Sequence, residues 1–244
     1  MKYSVVIPAL NEEATVGGVV ESCLASRAAE VLVIDSDSTD GTAAEARRAG
    51  AQVVNWREVA PGIEPRPGKG EALWRGVKAA SGDVVVFVDA DVTSLEPGWV
   101  DALAAPFADP AIHVVKAAYR RAYGDEADGG GRVTELTAKP LIRALFPDLA
   151  FLHQPLAGEY AIRRTTALSL PFVHGYGVEA GLVVDVAARF GASALTQVQL
   201  GQRVHRNRPL AELAPMADVV AATLLGRALG RDVEQRPAWV ADTI

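Results

Sequence analysis

Five apolar residues, Val84–Val88, run straight into Asp89-Ala90-Asp91. An unbroken apolar run this short, ended by polar residues, reads as a strand buried on both faces. Burial on both faces requires helices above and below a sheet, which directs the chain toward an α/β fold. Two carboxylates at i and i+2 repel each other and are costly to bury without a partner. At the carboxyl end of a buried strand the usual compensation is a divalent cation, and oxygen ligands suit Mg²⁺ or Mn²⁺. A lone D-x-D reads equally as a solvated strand-end turn, so its neighbours decide.

The preceding residues alternate strand and helix. Tyr3–Pro8 is an apolar strand, and Asn11 is expected to cap a helix running to about Ala25. Val31–Asp35 is a second strand and Ser36–Gly41 a polar turn. Thr42 and Glu45 read as a capping box opening a helix that Gly50 ends. Gln52–Asn55 is a short third strand. A Pro/Gly loop, Val59–Gly68, leads to a helix from about Gly70 to Ala80, stopped by Gly82. With Val84–Val88 the pattern is βαβαβαβ, which predicts a mostly parallel sheet flanked by helices.

In such sheets ligands bind beyond the carboxyl ends of the strands. Three strands here end in polar clusters, Pro8–Glu13, Asp35–Asp40 and Asp89–Asp91, and together they resemble the wall of a nucleotide site. No G-x-G-x-x-G follows the first strand and no G-x-x-x-x-G-K-[ST] occurs, which argues against dinucleotide and P-loop sites. Pro67–Trp74, PGKGEALW, places Lys69 between glycines just ahead of a helix, offering flexible backbone and one cation to a phosphate. The alternative is a surface lysine in a loop.

The second half is less regular. Pro97–Ala108 is expected as a helix, Ile112–Tyr119 as a strand and Tyr123–Gly131 as a glycine- and acid-rich loop. Arg132–Glu135 opens a helix to about Phe146. Arg132 and Thr134, beside helix N–H groups and after three glycines, suit a phosphate or carboxylate, an ordinary helix cap being the alternative. Gly158–Arg163 is a strand, and Gly175–Gly177 precedes a helix over Val178–Phe190 stopped by Gly191. There Glu179 shares a face with Leu182, Val183 and Val186, so it points inward and needs a donor: an arginine, a substrate hydroxyl or a core ion-pair partner. Ala194–Leu200 is the next strand. His205, within Arg203–Arg208 (RVHRNR), is either a metal ligand or structural. Leu210–Leu229 forms an amphipathic helix, and Gly230–Ile244 reads as a polar tail.

The 244 residues, half of them hydrophobic, suffice for one large domain, and neither repeats nor a clear linker divide them. Cys23, the only cysteine, is expected in the core. A strand in place of a signal peptide, and no apolar run near ~18 residues, give the expectation of a soluble cytoplasmic protein without membrane contact. The formal charge of −6 argues against nucleic acid as a partner. The clusters Arg66–Lys69, Lys116–Arg121 and Arg203–Arg208 suggest local sites for small anions.

PALNEE (Pro8–Glu13), DSDSTDGT (Asp35–Thr42) and the D-x-D together resemble a GT-A nucleotide-sugar glycosyltransferase. RPGKGEALWR (Arg66–Arg75), GGGRVTEL (Gly129–Leu136), QPLAGEY (Gln154–Tyr160), GYGVE (Gly175–Glu179) and HRNRPL (His205–Leu210) are similar to the retaining glucosyl-3-phosphoglycerate synthases and their mannosyl relatives. The resemblance runs from about Val5 to Leu229. It implies a GT-A domain over residues 1–229, with a nucleotide-sugar half to about residue 120, an acceptor half from 121 and a tail over 230–244. Asp37 and the acidic loop before Gly129 depart from the pattern.

The resemblance also implies roles. Pro8, Ala9, Leu10, Glu12 and Ser36 would hold the base and ribose of a nucleoside diphosphate sugar, and Lys69 its base or diphosphate. Asp91 and His205 would hold Mg²⁺ or Mn²⁺, with Asp89 and Ala90 toward the ribose or sugar. Leu156, Arg203 and Glu179 would line the sugar pocket, and Gly131, Arg132, Thr134, Tyr176 and Asn207 the 3-phosphoglycerate pocket. Glu179, Asp91 and Lys69 would carry the chemistry, and a homodimer is implied. UDP-glucose leads as donor, ahead of GDP-glucose and GDP-mannose. A sugar-nucleotide pyrophosphorylase would need a Gly-rich first loop where Pro8–Glu13 stands, and a dead sensor would have lost the D-x-D or His205.

Overall fold

The computed structural model describes residues 1–96, 98–121, 131–203 and 210–240. In chain order these form β1 (Tyr3–Ala9), α1 (Val16–Leu24), β2 (Glu30–Asp35), α2 (Thr42–Arg48), β3 (Gln52–Asn55), α3 (Trp56–Val59), α4 (Lys69–Ala79) and β4 (Val84–Phe87). There follow α5 (Gly98–Ala104), β5 (Val114–Arg121), α6 (Lys139–Leu145), β6 (Tyr160–Arg163), α7 (Arg164–Leu168), β7 (Phe172–Val173), α8 (Val178–Phe190), β8 (Leu195–Arg203), α9 (Leu210–Leu229) and β9 (Gln235–Arg236). A π-helical turn, Thr134–Ala138, runs into α6.

The main sheet, among the described residues, has the order β3-β2-β1-β4-β6-β5-β8. The βαβ units place β1, β2, β3 and β4 parallel, and β8 is parallel to β5. Only β6 runs against its neighbours β4 and β5, so the sheet is mostly parallel, as the alternation predicts. Successive residues of β1 serve opposite faces: Val6 joins Leu32, Ile34, Val85 and Phe87 under α4, α8 and α9, whereas Val5 and Ile7 join Val31, Val33 and Val84 under α1 and α5. Period-two packing on two covered faces explains why these strands carry hardly a polar residue. Cys23 is fully buried in the second of these clusters.

Both N-terminal caps differ from expectation. Helix α1 starts at Val16, and Asn11 instead takes a left-handed φ of 56° while its Oδ1 accepts the Thr39 N–H at 2.9 Å. The side chain bridges two loops at the strand ends, so it is not available to the helix. Thr42 lies inside α2, with its N–H on Asp40 Oδ1 at 3.0 Å, and Glu45 turns outward to Arg48 Nε at 2.9 Å. Asp40 therefore does the capping that the Thr-x-x-Glu spacing suggested for Thr42 and Glu45.

The expected helix over Pro97–Ala108 tightens to a 3₁₀ turn from Ala105, where Pro106 cannot donate. Residues 230–240 are no free tail. Strand β9 pairs with β7, and the Trp239 ring stacks on Trp74 at 3.6 Å between centroids. Its aromatic and basic side chains have partners waiting in α4, which a reading by polarity overlooks.

Candidate active site

The carboxyl ends of β1, β2 and β4 open on one cavity of about 680 Å³. Pro8 and Ala9 end β1 and Leu10 and Glu12 follow it, Ser36 follows β2, and Asp89, Ala90 and Asp91 follow β4. Tying these loops together, the Thr42 hydroxyl accepts the Glu12 N–H at 2.8 Å. The opposite wall holds Gly131, Arg132 and Thr134 ahead of α6, Leu156 and Gly158 ahead of β6, Tyr176 and Glu179 at the start of α8, and Arg203 at the end of β8. These groups come from both halves of the chain. His205 and Asn207 lie outside the described residues.

At the floor, among the described residues, five charged groups meet, and a sixth, Glu159, is buried behind them. Lys69 Nζ lies 2.5 Å from Asp89 Oδ1 and 2.7 Å from Glu179 Oε1. Burial pulls the Lys69 ammonium toward neutrality, but the charges of Asp89 and Glu179 outweigh it and raise its pKa well above the ordinary lysine value. Arg203 Nη2 reaches Asp89 Oδ2 at 3.0 Å, Asp91 Oδ1 at 3.5 Å and Glu159 Oε1 at 3.0 Å. Glu179, only 4% exposed, is thus a buried carboxylate whose compensating cation is Lys69.

Among the described residues two cations face four carboxylates, leaving two negative charges when all are ionised. Asp91 is the least compensated: its contact with Arg203 is long, and burial, then the Asp89 charge, raise its pKa. A hard dication would relieve that imbalance, so the donor chemistry fits Mg²⁺ or Mn²⁺ at Asp91. Among the described residues no group of three His, Cys, Asp or Glu side chains converges as a complete metal site.

Backbone packing sets how closely these groups approach. Gly158 lies against the Asp89 carboxylate, where a Cβ would overlap it. Gly68 has a φ of 119°, and a Cβ there would stand 2.9 Å from the Gly175 Cα, so the start of α4 rests backbone to backbone on the turn before α8. That contact sets Lys69 beside Glu179.

Sequence reading gave Gly68 a part in a flexible phosphate loop but no role of their own to Trp56, Pro67, Ala72, Val133, Gly158 or the α9 residues Leu213, Met216 and Val220, all of which line the cavity. Pro67, Gly68, Ala72, Val133 and Gly158 stood inside the quoted motifs, whereas the apolar stripe on α9 carries no mark of facing a ligand. Lys116, grouped with a basic cluster suited to anions, is instead buried, donating to the Ala157 carbonyl at 2.6 Å. Asp37, the departure from the pattern, is outside the cavity wall and holds Arg57 Nε at 2.8 Å.

Residues 4–174 match the glycosyl transferase family 2 pattern. The glucosyl-3-phosphoglycerate synthase of Mycolicibacterium smegmatis is 50% identical over 232 residues, covering 92% of this chain and 77% of that protein. That of Mycobacterium tuberculosis strain H37Rv is 49% identical over 235 residues, covering 92% and 72%. The crystal structure of the Mycobacterium tuberculosis enzyme in complex with Mn²⁺, UDP-glucose and phosphoglyceric acid superposes with a TM-score of 0.89 at 44% identity, over 98% of this chain and 90% of that one. The helix-flanked sheet is the GT-A fold, and the chain belongs to glycosyl transferase family 2 and, within it, to the glucosyl-3-phosphoglycerate synthases.

Proposed function

We propose that the chain transfers glucose from UDP-glucose to 3-phospho-D-glycerate with retention of anomeric configuration. One observation carries the reading. A single cavity joins three polar strand ends, suited to a nucleoside diphosphate, to an arginine and a buried threonine at a helix start, suited to a phosphorylated acid. The 44% identical structure that holds UDP-glucose and phosphoglyceric acid together with Mn²⁺ supports the same pair of substrates.

In this reading Pro8, Ala9, Leu10, Glu12 and Ser36 take the base and ribose, and Arg203 with Leu156 flanks the sugar. Arg132, Thr134 and Gly131 take the acceptor, with Tyr176 at its mouth and Asn207 beyond the described residues. Asp91 would hold the metal together with His205, and the bound ion would act as a Lewis acid on the departing diphosphate. A carboxylate gripped by a lysine at 2.7 Å is a weak nucleophile, so Glu179 orients hydroxyls and stabilises positive charge at the anomeric carbon. Retention then needs no glycosyl-enzyme, unlike the double displacement common among retaining hydrolases.

A cytoplasmic enzyme is part of this proposal; among the described residues no helix is long and apolar enough to cross a membrane. Exposed Leu225 and Leu229 on α9 support the homodimer, and light scattering on the eluted protein tests it.

Product analysis with 3-phosphoglycerate offered against a panel of UDP- and GDP-sugars tests the function. The expected product is α-glucosyl-3-phosphoglycerate, formed fastest from UDP-glucose. A preference for GDP-mannose would move the chain to the mannosyl relatives, and pyrophosphate release from a nucleoside triphosphate would overturn glycosyl transfer.

A further inference from the structure

Glu159, at the head of β6, has no part in the roles above and does not line the cavity. It is fully buried. Arg203 Nε donates to both its oxygens at 3.1 Å, Arg203 Nη2 stands 3.0 Å from Oε1, and the Tyr119 hydroxyl donates to Oε2 at 2.6 Å. Its own carbonyl accepts the Ala117 N–H at 3.1 Å, which pins the residue between β5 and β6. A carboxylate with no exposure is tolerated only with such partners.

Arg203 is consequently shared between one carboxylate behind the wall and two on it. Glu159 has the fork, through Nε and Nη2, and Asp89 the second close contact at 3.0 Å. Asp91 is left with the longest contact, 3.5 Å. A guanidinium aimed at Asp91 would compete with a dication twice over, by occupying an oxygen and by repelling positive charge.

We propose that Glu159 is a positioning residue that sets how tightly the site holds its divalent cation, by drawing the Arg203 guanidinium back from Asp91. The proposal rests on the metal-dependent transfer described above. Without the Glu159 charge, Arg203 turns to the nearest remaining carboxylates, Asp89 and Asp91, and the cluster loses one of the negative charges that attract the ion.

Calorimetric titration of Mn²⁺ into the UDP-loaded protein reads this directly, without turnover. Glu159→Gln should raise the Mn²⁺ Kd by ~10-fold or more, the scale of one uncompensated charge at close range. Saturating Mn²⁺ should recover most of the activity, which a general loosening of the fold would not permit. Adding Arg203→Met to Glu159→Gln should restore most of the Mn²⁺ affinity, because the competing cation is gone. Glu159→Asp keeps the charge with a shorter reach and should fall between; if Glu159→Gln does not fold, it carries the test. A Mn²⁺ Kd within about twofold of wild type in the folded variant, or a loss that removing Arg203 leaves in place, overturns the proposal. Wild-type protein that binds no Mn²⁺ or moves no glucose would sink the functional reading instead.

Discussion

Asp89 is held on three sides, by Lys69, by Arg203 and by the absence of a side chain at Gly158. The last is the easiest to test. Gly158→Ala adds a Cβ that would overlap the Asp89 carboxylate, and displacing that group by about 1 Å should cost on the order of 10²-fold in kcat. Unfolding by denaturant should shift little, by about 1 kcal/mol; a fully active variant would refute the close approach as a determinant of activity. A second residue-scale expectation lies far from the site. His113 stacks on Phe190 at 3.9 Å, with Nδ1 2.7 Å from the Thr166 hydroxyl, and burial, then the charges of Arg163 and Arg189, lower its pKa below the ordinary 6.5. The unfolded chain therefore binds the proton more readily, and the stability due to neutral His113 is lost as pH falls from about 6.5 through the lower folded value. Melting curves across that window should slope less in His113→Gln than in wild type, and equal slopes would contradict the assignment.

At the scale of elements, α4 matters through its first turn. Gly70 faces the Val173 carbonyl so closely that a Cβ would overlap it, and Gly68 rests on Gly175. Gly70→Ala should push the start of α4 from the turn ahead of α8, separating Lys69 from Glu179. The expected result is a loss of about 1–3 kcal/mol of stability with a fall in kcat, checked by denaturation and initial rates. Retained kcat with reduced stability would mean that the packing serves the fold alone. What was legible in the sequence follows from the same distinction between local and distant causes. Helices α8 and α9 have the bounds that periodicity and glycine stops gave, because those signals lie within the segments. Strand ends rich in Asp, Asn and Ser likewise marked the cavity. The cap at Asn11 went astray because its amide oxygen bonds to another loop, a partner no local window contains, and the one at Thr42 because two near neighbours, Asp40 and Arg48, take up Thr42 and Glu45. The strand over Gly158–Arg163 was legible, but its antiparallel place between β4 and β5 and the partners of Glu159 at its head were not: pairing across 44 to 79 residues, from Lys116↔Tyr160 to Val84↔Arg163, leaves no periodic trace.

For the whole molecule, the two-faced sheet provides the core, and the chain's last described residues clasp α4 and β7. Trp239 stacks on buried Trp74 and donates Nε1–H to the Trp74 carbonyl at 2.9 Å, while Trp74 Nε1 donates to the Pro237 carbonyl at 2.9 Å. Arg236 Nε reaches Glu71 Oε2 at 2.6 Å, beside the Glu71–Arg75 pair of α4, and its Nη2 takes the Glu64 carbonyl. These bonds span some 165 residues of sequence and join the C-terminal segment to α4 and to the loop that delivers Gly68 and Lys69. Trp239→Ala should remove a stacked pair with its apolar burial and destabilise the fold by about 2 kcal/mol. Removing everything after Leu229 should cost more, since Glu71, 2% exposed, then answers to Arg75 alone and β7 loses its partner strand. Because the freed loop leads directly into Lys69 at the start of α4, the truncated protein should also show a higher KM for the sugar nucleotide, with the acceptor KM less affected. Denaturation curves and donor titrations on both variants read these effects separately. Wild-type stability and donor KM in the truncated chain would mean that the segment is an appendage after all.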